Sequence, residues 1–255
     1  IAAGILFETD SPPPRLQVLK ANLSEKEAPS VDHSKLKELQ KVFNSPQEVT
    51  LACMSCHTER HKEIMGSSHW NWERPEYIEG RGIVYIGKKN AINNFCIGIE
   101  GNELSCAKCH VGYGMKDDMF SYTDSSNIDC LICHDNTGDY VKGSEMGGLP
   151  DPSINLAEIA QKVGSPTRNN CGYCHFFGGG GNNVKHGDLE KSMFYPTKEI
   201  DVHMAADGPD LQCVDCHLTK NHKMLGKMYS VSSMNKDRST CEQCHGEAPH
   251  EDGLI

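Results

Sequence analysis

Apolar and polar positions alternate at helical spacing in two stretches of the chain. From His33 to Phe43, the residues Leu36, Leu39, Val42 and Phe43 fall on one face, which predicts an amphipathic helix. From Ser153 to Val163, the residues Leu156, Ile159, Ala160 and Val163 repeat at the same spacing, with Asp151 and Pro152 ahead of the start and Gly164 as the stop. Residues 81–87, Arg-Gly-Ile-Val-Tyr-Ile-Gly, read as a strand confined to a hairpin. The run Pro12 to Pro14 marks residues 1–30 as an extended N-terminal arm, leaving 31–255 as one domain. No run of eighteen apolar residues occurs, so no membrane span is expected.

That pattern leaves too little to fill a conventional core. Only 37% of the 255 residues are hydrophobic and 7% aromatic, while 24 Gly and 12 Pro call for many turns. Thirteen Cys and thirteen His stand out instead, and a cofactor or a disulfide framework has to account for them. The formal charge of -10 provides no basic stripe to neutralise phosphates, which argues against a nucleic-acid partner. The chain begins without a basic leader and reads as the mature form of an exported protein.

One short unit, CxxCH, occurs six times: Cys53/Cys56/His57, Cys106/Cys109/His110, Cys130/Cys133/His134, Cys171/Cys174/His175, Cys213/Cys216/His217 and Cys241/Cys244/His245. With Cys and His each near 5% of residues, composition alone predicts roughly 0.03 such pentapeptides. Two thiols three residues apart share one face of a helical turn and can form thioethers to one haem, and the next residue, His, then meets the iron. The expected iron ligands on this side are His57, His110, His134, His175, His217 and His245. Six covalently bound haem c groups are therefore expected, at about 42 residues per haem, with the porphyrins supplying the missing core. Cys106, Cys109, Cys130 and Cys133 also match the spacing of a four-thiolate zinc site, but zinc does not call for a His after the second Cys in six cases of six. Disulfides within the CxxC pairs would close loops too short to staple a fold and would leave the histidines unexplained.

Seven histidines lie outside the motifs, and six of them, His33, His69, His186, His203, His222 and His250, are candidate distal iron ligands. His61 is the weakest, because it follows His57 by four residues and is expected on the same helix. Ten Met are available, yet none recurs at a fixed offset from the motifs, so bis-histidine, low-potential haems are expected.

The stretches around the motifs resemble the octahaem tetrathionate reductase family of multihaem cytochromes. The likeness runs through Asp32 to Lys35, Ser68 to Trp70, Asn93 to Cys96 and Cys109 to Gly114. It continues through Cys174 to Phe177, the four glycines Gly178 to Gly181, Val184 to Asp188, Val202 to Met204, Asn221 with His222, and Ala248 to His250. It covers nearly the whole chain beyond residue 31. The resemblance implies a fold of short α-helices and irregular chain wrapped around a haem series, with little β-structure. It also implies that Lys185 is the distal ligand opposite His110, with Cys96 in the pocket beside them, and that the protein works outside the cytoplasm, in the periplasm or at the cell surface. Two departures stand out. The family continues to two further haems whereas this chain stops eleven residues after Cys244, and Asn182 stands where an acidic residue is expected three positions before the lysine.

Two functions follow. In the first, closely packed haems conduct electrons to a redox partner protein or an extracellular acceptor. Because six histidines plus Lys185 make seven ligands for six irons, one ligand is left to reach a neighbouring subunit and build a filament. In the second, the chain reduces tetrathionate, nitrite or hydroxylamine at the haem of His110, with Lys185 and Cys96 as the catalytic residues.

Overall fold

The computed structural model describes residues 31–90, 92, 97–176, 178, 181–184 and 187–224. The N-terminal arm expected over 1–30 lies outside the described residues, as does the whole sixth motif with Cys241, Cys244 and His245. Cys96, Lys185, His186 and His250 lie outside them too.

The chain is built from short helices in which each described CxxCH motif starts or ends a helical turn. Helix α1, Pro46–Cys56, begins at Ser45, whose side chain accepts from Glu48 N, with Pro46 in the first turn where its missing N–H costs nothing. It runs into the first motif and stops at His57, whose N–H bonds to Cys53 O at 2.8 Å. Helix α2, Arg60–Met65, is a separate element, so His61 is not on the helix of His57 as the four-residue spacing suggests. Helix α3, Ser68–Asn71, follows at once and is capped by the Ser67 side chain. Helix α4, Glu103–Cys106, and the 3-10 turn Ala107–Cys109 carry the second motif, helix α5, Leu131–His134, the third, helix α7, Arg168–His175, the fourth, and helix α8, Cys213–Cys216, the fifth.

Helix α6, Leu156–Gln161, is the core of the segment expected to be helical over 153–163. Its cap is Asn155, because Asp151 is engaged earlier in a turn, accepting from Ser153 N at 2.9 Å and Ser153 Oγ at 2.6 Å. The helix expected over 33–43 is not formed. Two 3-10 turns, His33–Lys35 and Lys37–Leu39, flank an extended Leu36 (φ -80, ψ 124). Asp32 caps the first turn through Ser34 N. Breaking the helix at Leu36 leaves Leu39 and Phe43 buried while Val42, expected on the same face, is 82% exposed.

Strand content is small, as expected. Strands β1, Arg74–Ile78, and β2, Gly82–Ile86, pair antiparallel with Ile78 opposite Gly82, and Gly80 and Gly82 take the positive φ that the turn requires. Strands β3, Thr219–Lys220, and β4, Lys223–Met224, are joined by Asn221 and His222, both at positive φ (50 and 56), a two-residue primed turn.

The apolar core gathers Leu39, Phe43, Val49, Trp70, Ile128, Leu131, Ile132, Tyr140, Ile159 and Ala160 between the first and third motifs. Ile128 and Leu131 are essentially inaccessible, and burying each such side chain contributes about 1.5–3 kcal/mol. The core therefore holds the motifs against one another more than it encloses a separate interior.

Candidate haem-binding sites

Three motif histidines each face a second histidine at nearly the same separation. The ring centroids of His33 and His57 lie 6.3 Å apart, those of His69 and His175 6.3 Å apart, and those of His134 and His222 6.2 Å apart. Two imidazoles bound to one metal from opposite sides, each with a metal–nitrogen bond of about 2.0 Å, place their centroids about 6.3 Å apart. The spacing therefore fits a transition-metal ion between each pair, and it is too wide for direct ring stacking.

The ring nitrogens are oriented to match. His134 Nδ1 donates to Gly164 O at 2.8 Å, and His175 Nδ1 donates to Gly187 O at 2.8 Å. His222 Nδ1 meets Glu63 Oε2 at 2.7 Å, where the carboxylate accepts. In each case the proton is fixed on Nδ1, which leaves the Nε2 lone pair for a metal, as partners behind ligating imidazoles generally do. Burial favours the neutral ring. It lowers His69 to about 4, with the charges of His175 and Lys88 adding to the effect, and it lowers His134 despite the opposing Gly164 carbonyl.

His222 reaches this position at a cost. A non-glycine residue in the left-handed region loses about 1–2 kcal/mol, and Glu63 of helix α2 holds the imidazole in place. His33 is delivered by the Asp32-capped turn, and His69 by helix α3, which also carries Trp70 into the core.

The thiols of different motifs meet. Cys53 and Cys130 hydrogen-bond to one another, as do Cys171 with Cys213 and Cys174 with Cys109. Accepting that hydrogen bond lowers Cys53, and it lowers Cys213 to about 7, while the donors Cys130 and Cys171 are raised. The zinc-like set is thereby divided, since Cys130 lies against Cys53 and Cys109 against Cys174. Backbone and side-chain links follow the same adjacency. Thr50 Oγ1 donates to Ile128 O at 2.6 Å between the first and third motifs, Asn170 Nδ2 to Asp135 O at 2.8 Å between the fourth and third, and Arg168 N to Gln212 Oε1 at 2.8 Å between the fourth and fifth. The fourth motif is thus flanked by the second, third and fifth.

Two other motif histidines, His110 and His217, do not join such pairs among the described residues. His110 of the second motif has a ring fully buried among Trp70, Trp72, Phe120 and Tyr122, with Trp72 edge-on at 4.7 Å. His110 Nε2 donates to Trp70 O at 2.6 Å, and Nδ1, buried, has no partner. Burial is the main cause that lowers this histidine to about 3. A Cβ on Gly112 would stand 2.9 Å from His110 Nδ1, so only glycine permits the chain to turn there. His110 thus turns Nε2 to a carbonyl, whereas His134 and His175 turn Nδ1 to one.

His217 of the fifth motif is exposed where helix α8 ends. Its N–H closes the helix on Cys213 O at 2.8 Å, and its carbonyl accepts from Thr219 Oγ1 at 3.4 Å. The hairpin that starts at Thr219 places His222 against the third motif. His245 falls in the part of the chain beyond residue 224, outside the described residues, so its expected ligand role has no geometry to set against it. His203 lies in the loop before the fifth motif, where its carbonyl accepts from Leu211 N at 3.0 Å.

Sequence pattern does not single out the orienting groups Glu63, Gly164 and Gly187. Gly164 reads only as a helix stop, and Glu63 is one of many acidic residues with no distinguishing spacing.

No family model matches the chain. An uncharacterised protein of Archaeoglobus fulgidus is 28% identical over 244 residues, covering 76% of this chain and 80% of that protein. The crystal structure of an octaheme cytochrome c from Shewanella oneidensis superposes with a TM-score of 0.77 at 46% identity, over 88% of this chain and 49% of that one. The chain thus spans about half the length of that cytochrome, and its fold of short helices with little strand is a multihaem c-type fold.

Proposed function

We propose that this chain is a multihaem c-type cytochrome that holds six haems through its CxxCH motifs and carries electrons between redox partners outside the cytoplasm. The observation that carries the reading is the set of three histidine pairs at 6.2–6.3 Å, each containing one motif histidine. Haem iron, when bound, supplies one-electron redox chemistry. The chain's residues do the rest. Paired cysteines at Cys53/Cys56, Cys130/Cys133 and Cys171/Cys174 would attach haem through thioethers, and His33 with His57, His222 with His134 and His69 with His175 would hold its iron. Glu63, Gly164 and Gly187 fix the proton away from the iron side. Bis-histidine ligation places these sites at the low-potential end of the c-type range. His110, His217 and His245 would be the motif ligands of the other three haems, with His203, His186, His250 and Lys185 as the candidates for their second ligands.

The hydrogen bonds that join the first motif to the third and the fourth to the third and fifth bring neighbouring motifs together, which suits conduction through a packed series. The surplus of one ligand supports a filament in which a distal ligand is donated to the next subunit. Electron micrographs of discrete monomers alone would remove the filament while leaving the conduit.

A second reading, reduction of tetrathionate, nitrite or hydroxylamine at the second motif with Lys185 and Cys96, is favoured by one observation: His110 has an environment unlike that of His57, His134 and His175. A pyridine haemochrome assay tests the first reading, with six c-type haems per chain expected and a colourless or zinc-loaded protein contradicting it. Turnover with reduced methyl viologen, lost in Lys185→Ala, tests the second.

A further inference from the structure

Lys142 and Asp129 form an ion pair, Nζ to Oδ2 at 3.0 Å, with both side chains at 0% exposure. Neither belongs to a CxxCH motif, yet together they touch three. Lys142 Nζ donates to the carbonyls of His110 and of Gly112, at the exit of the second motif. Asp129 Oδ1 accepts from Ile132 N at 3.1 Å inside the third motif, and from Tyr113 Oη at 3.1 Å. Asp129 Oδ2 also accepts from Tyr140 Oη at 2.9 Å. The backbone N–H of Lys142 donates to Tyr173 Oη at 2.9 Å, and Tyr173 stands between the two cysteines of the fourth motif.

Stability alone does not explain the pair. A buried ion pair is commonly matched or exceeded by well-packed apolar side chains of the same volume, because desolvation offsets the attraction. Here every donor of the ammonium is used and the carboxylate accepts four hydrogen bonds, so both charges are held in fixed positions beside three attachment motifs. In such a site a charge acts over longer distances than in water.

We propose that the Lys142–Asp129 pair is a positioning and charge-balancing element that sets the reduction potentials of the groups held by the motifs it joins. This rests on the haem reading above. Reduction adds one electron, so a positive charge nearby favours the reduced form and a negative charge the oxidised form.

The test is an optical redox titration of the haem-loaded full chain and three variants. Asp129→Asn leaves Lys142 uncompensated and is expected to raise the potential of the affected haems. Lys142→Met leaves Asp129 uncompensated and is expected to lower it, each by about a tenfold change in the reduced-to-oxidised ratio, about 59 mV for a one-electron couple. The double variant returns the titration to the wild-type curve. A merely structural role does not produce shifts of opposite sign that cancel. Shifts of the same sign, or no shift in variants with full haem content, overturn the proposal. If Lys142→Met fails to fold, Tyr140→Phe removes one donor from the carboxylate and leaves both charges. It is expected to shift the potential downward by less, and an unchanged titration there overturns the proposal equally. Absence of haem from the wild-type protein overturns the haem reading itself, which separates the two failures.

Discussion

At the scale of single residues, the chemistry turns on which nitrogen of each imidazole is protonated. Glu63, Gly164 and Gly187 take the Nδ1 proton of His222, His134 and His175, and the Trp70 carbonyl takes the Nε2 proton of His110. His222 is the most open to test because its left-handed backbone is strained. His222→Gly relieves about 1–2 kcal/mol of that strain while removing the imidazole. The hairpin is expected to persist and one low-spin haem to become high-spin in electron paramagnetic resonance, whereas an unchanged spectrum would show that His222 is not an axial ligand. In the chain without haem the buried histidines also set a pH dependence. His69, lowered from 6.5 to about 4, and His110, lowered from 6.5 to about 3, stay neutral in the fold where the unfolded chain accepts a proton. Their stabilisation is complete above pH 6.5 and is lost as the pH falls toward these values, by up to about 3 kcal/mol for His69. Thermal unfolding of the haem-free chain followed by circular dichroism should show a lower midpoint at pH 4.5 than at pH 7, and a midpoint unchanged across that range would contradict this.

At the scale of elements, helix α7 is the structural centre, because the second, third and fifth motifs all border it. Its entry is set by Asn170, whose Oδ1 accepts from Thr167 N at 2.8 Å and Thr167 Oγ1 at 2.7 Å while its Nδ2 reaches the end of the third motif. Asn170→Ala removes the cap and the link between motifs together, and is expected to cost about 1–3 kcal/mol, read as a fall of a few degrees in the thermal midpoint. Midpoints equal to wild type would mean the link contributes nothing. How legible such elements are depends on what specifies them. The strand at Gly82–Ile86 and the helix at Leu156–Gln161 are visible in the sequence because their own periodicity and turn residues determine them. The segment 33–43 carries helical periodicity yet forms two 3-10 turns, since Asp32 caps at Ser34 and the chain extends at Leu36, which leaves Val42 in solvent. Local pattern loses there to the position of His33 opposite His57, which no window of sequence contains.

At the scale of the whole molecule, the CxxCH spacing makes the proposed attachment sites legible, because both thiols and the histidine sit within five residues. Which distal histidine faces which motif is not legible, because the pairs span 24, 88 and 106 residues in sequence. His222 lies after the fifth motif and faces the third, leaving the nearer His217 exposed, and His69 lies before the second and faces the fourth. The same holds for Lys142 and Asp129, ordinary charged residues in the sequence whose burial comes only from the packing of three motifs around them. The fold is therefore a scaffold whose remote contacts arrange locally specified sites. Anomalous diffraction at the iron edge tests this most directly. Iron peaks are predicted midway between His33 and His57, between His69 and His175, and between His134 and His222, and iron absent from these midpoints, or zinc in place of iron, would contradict the account.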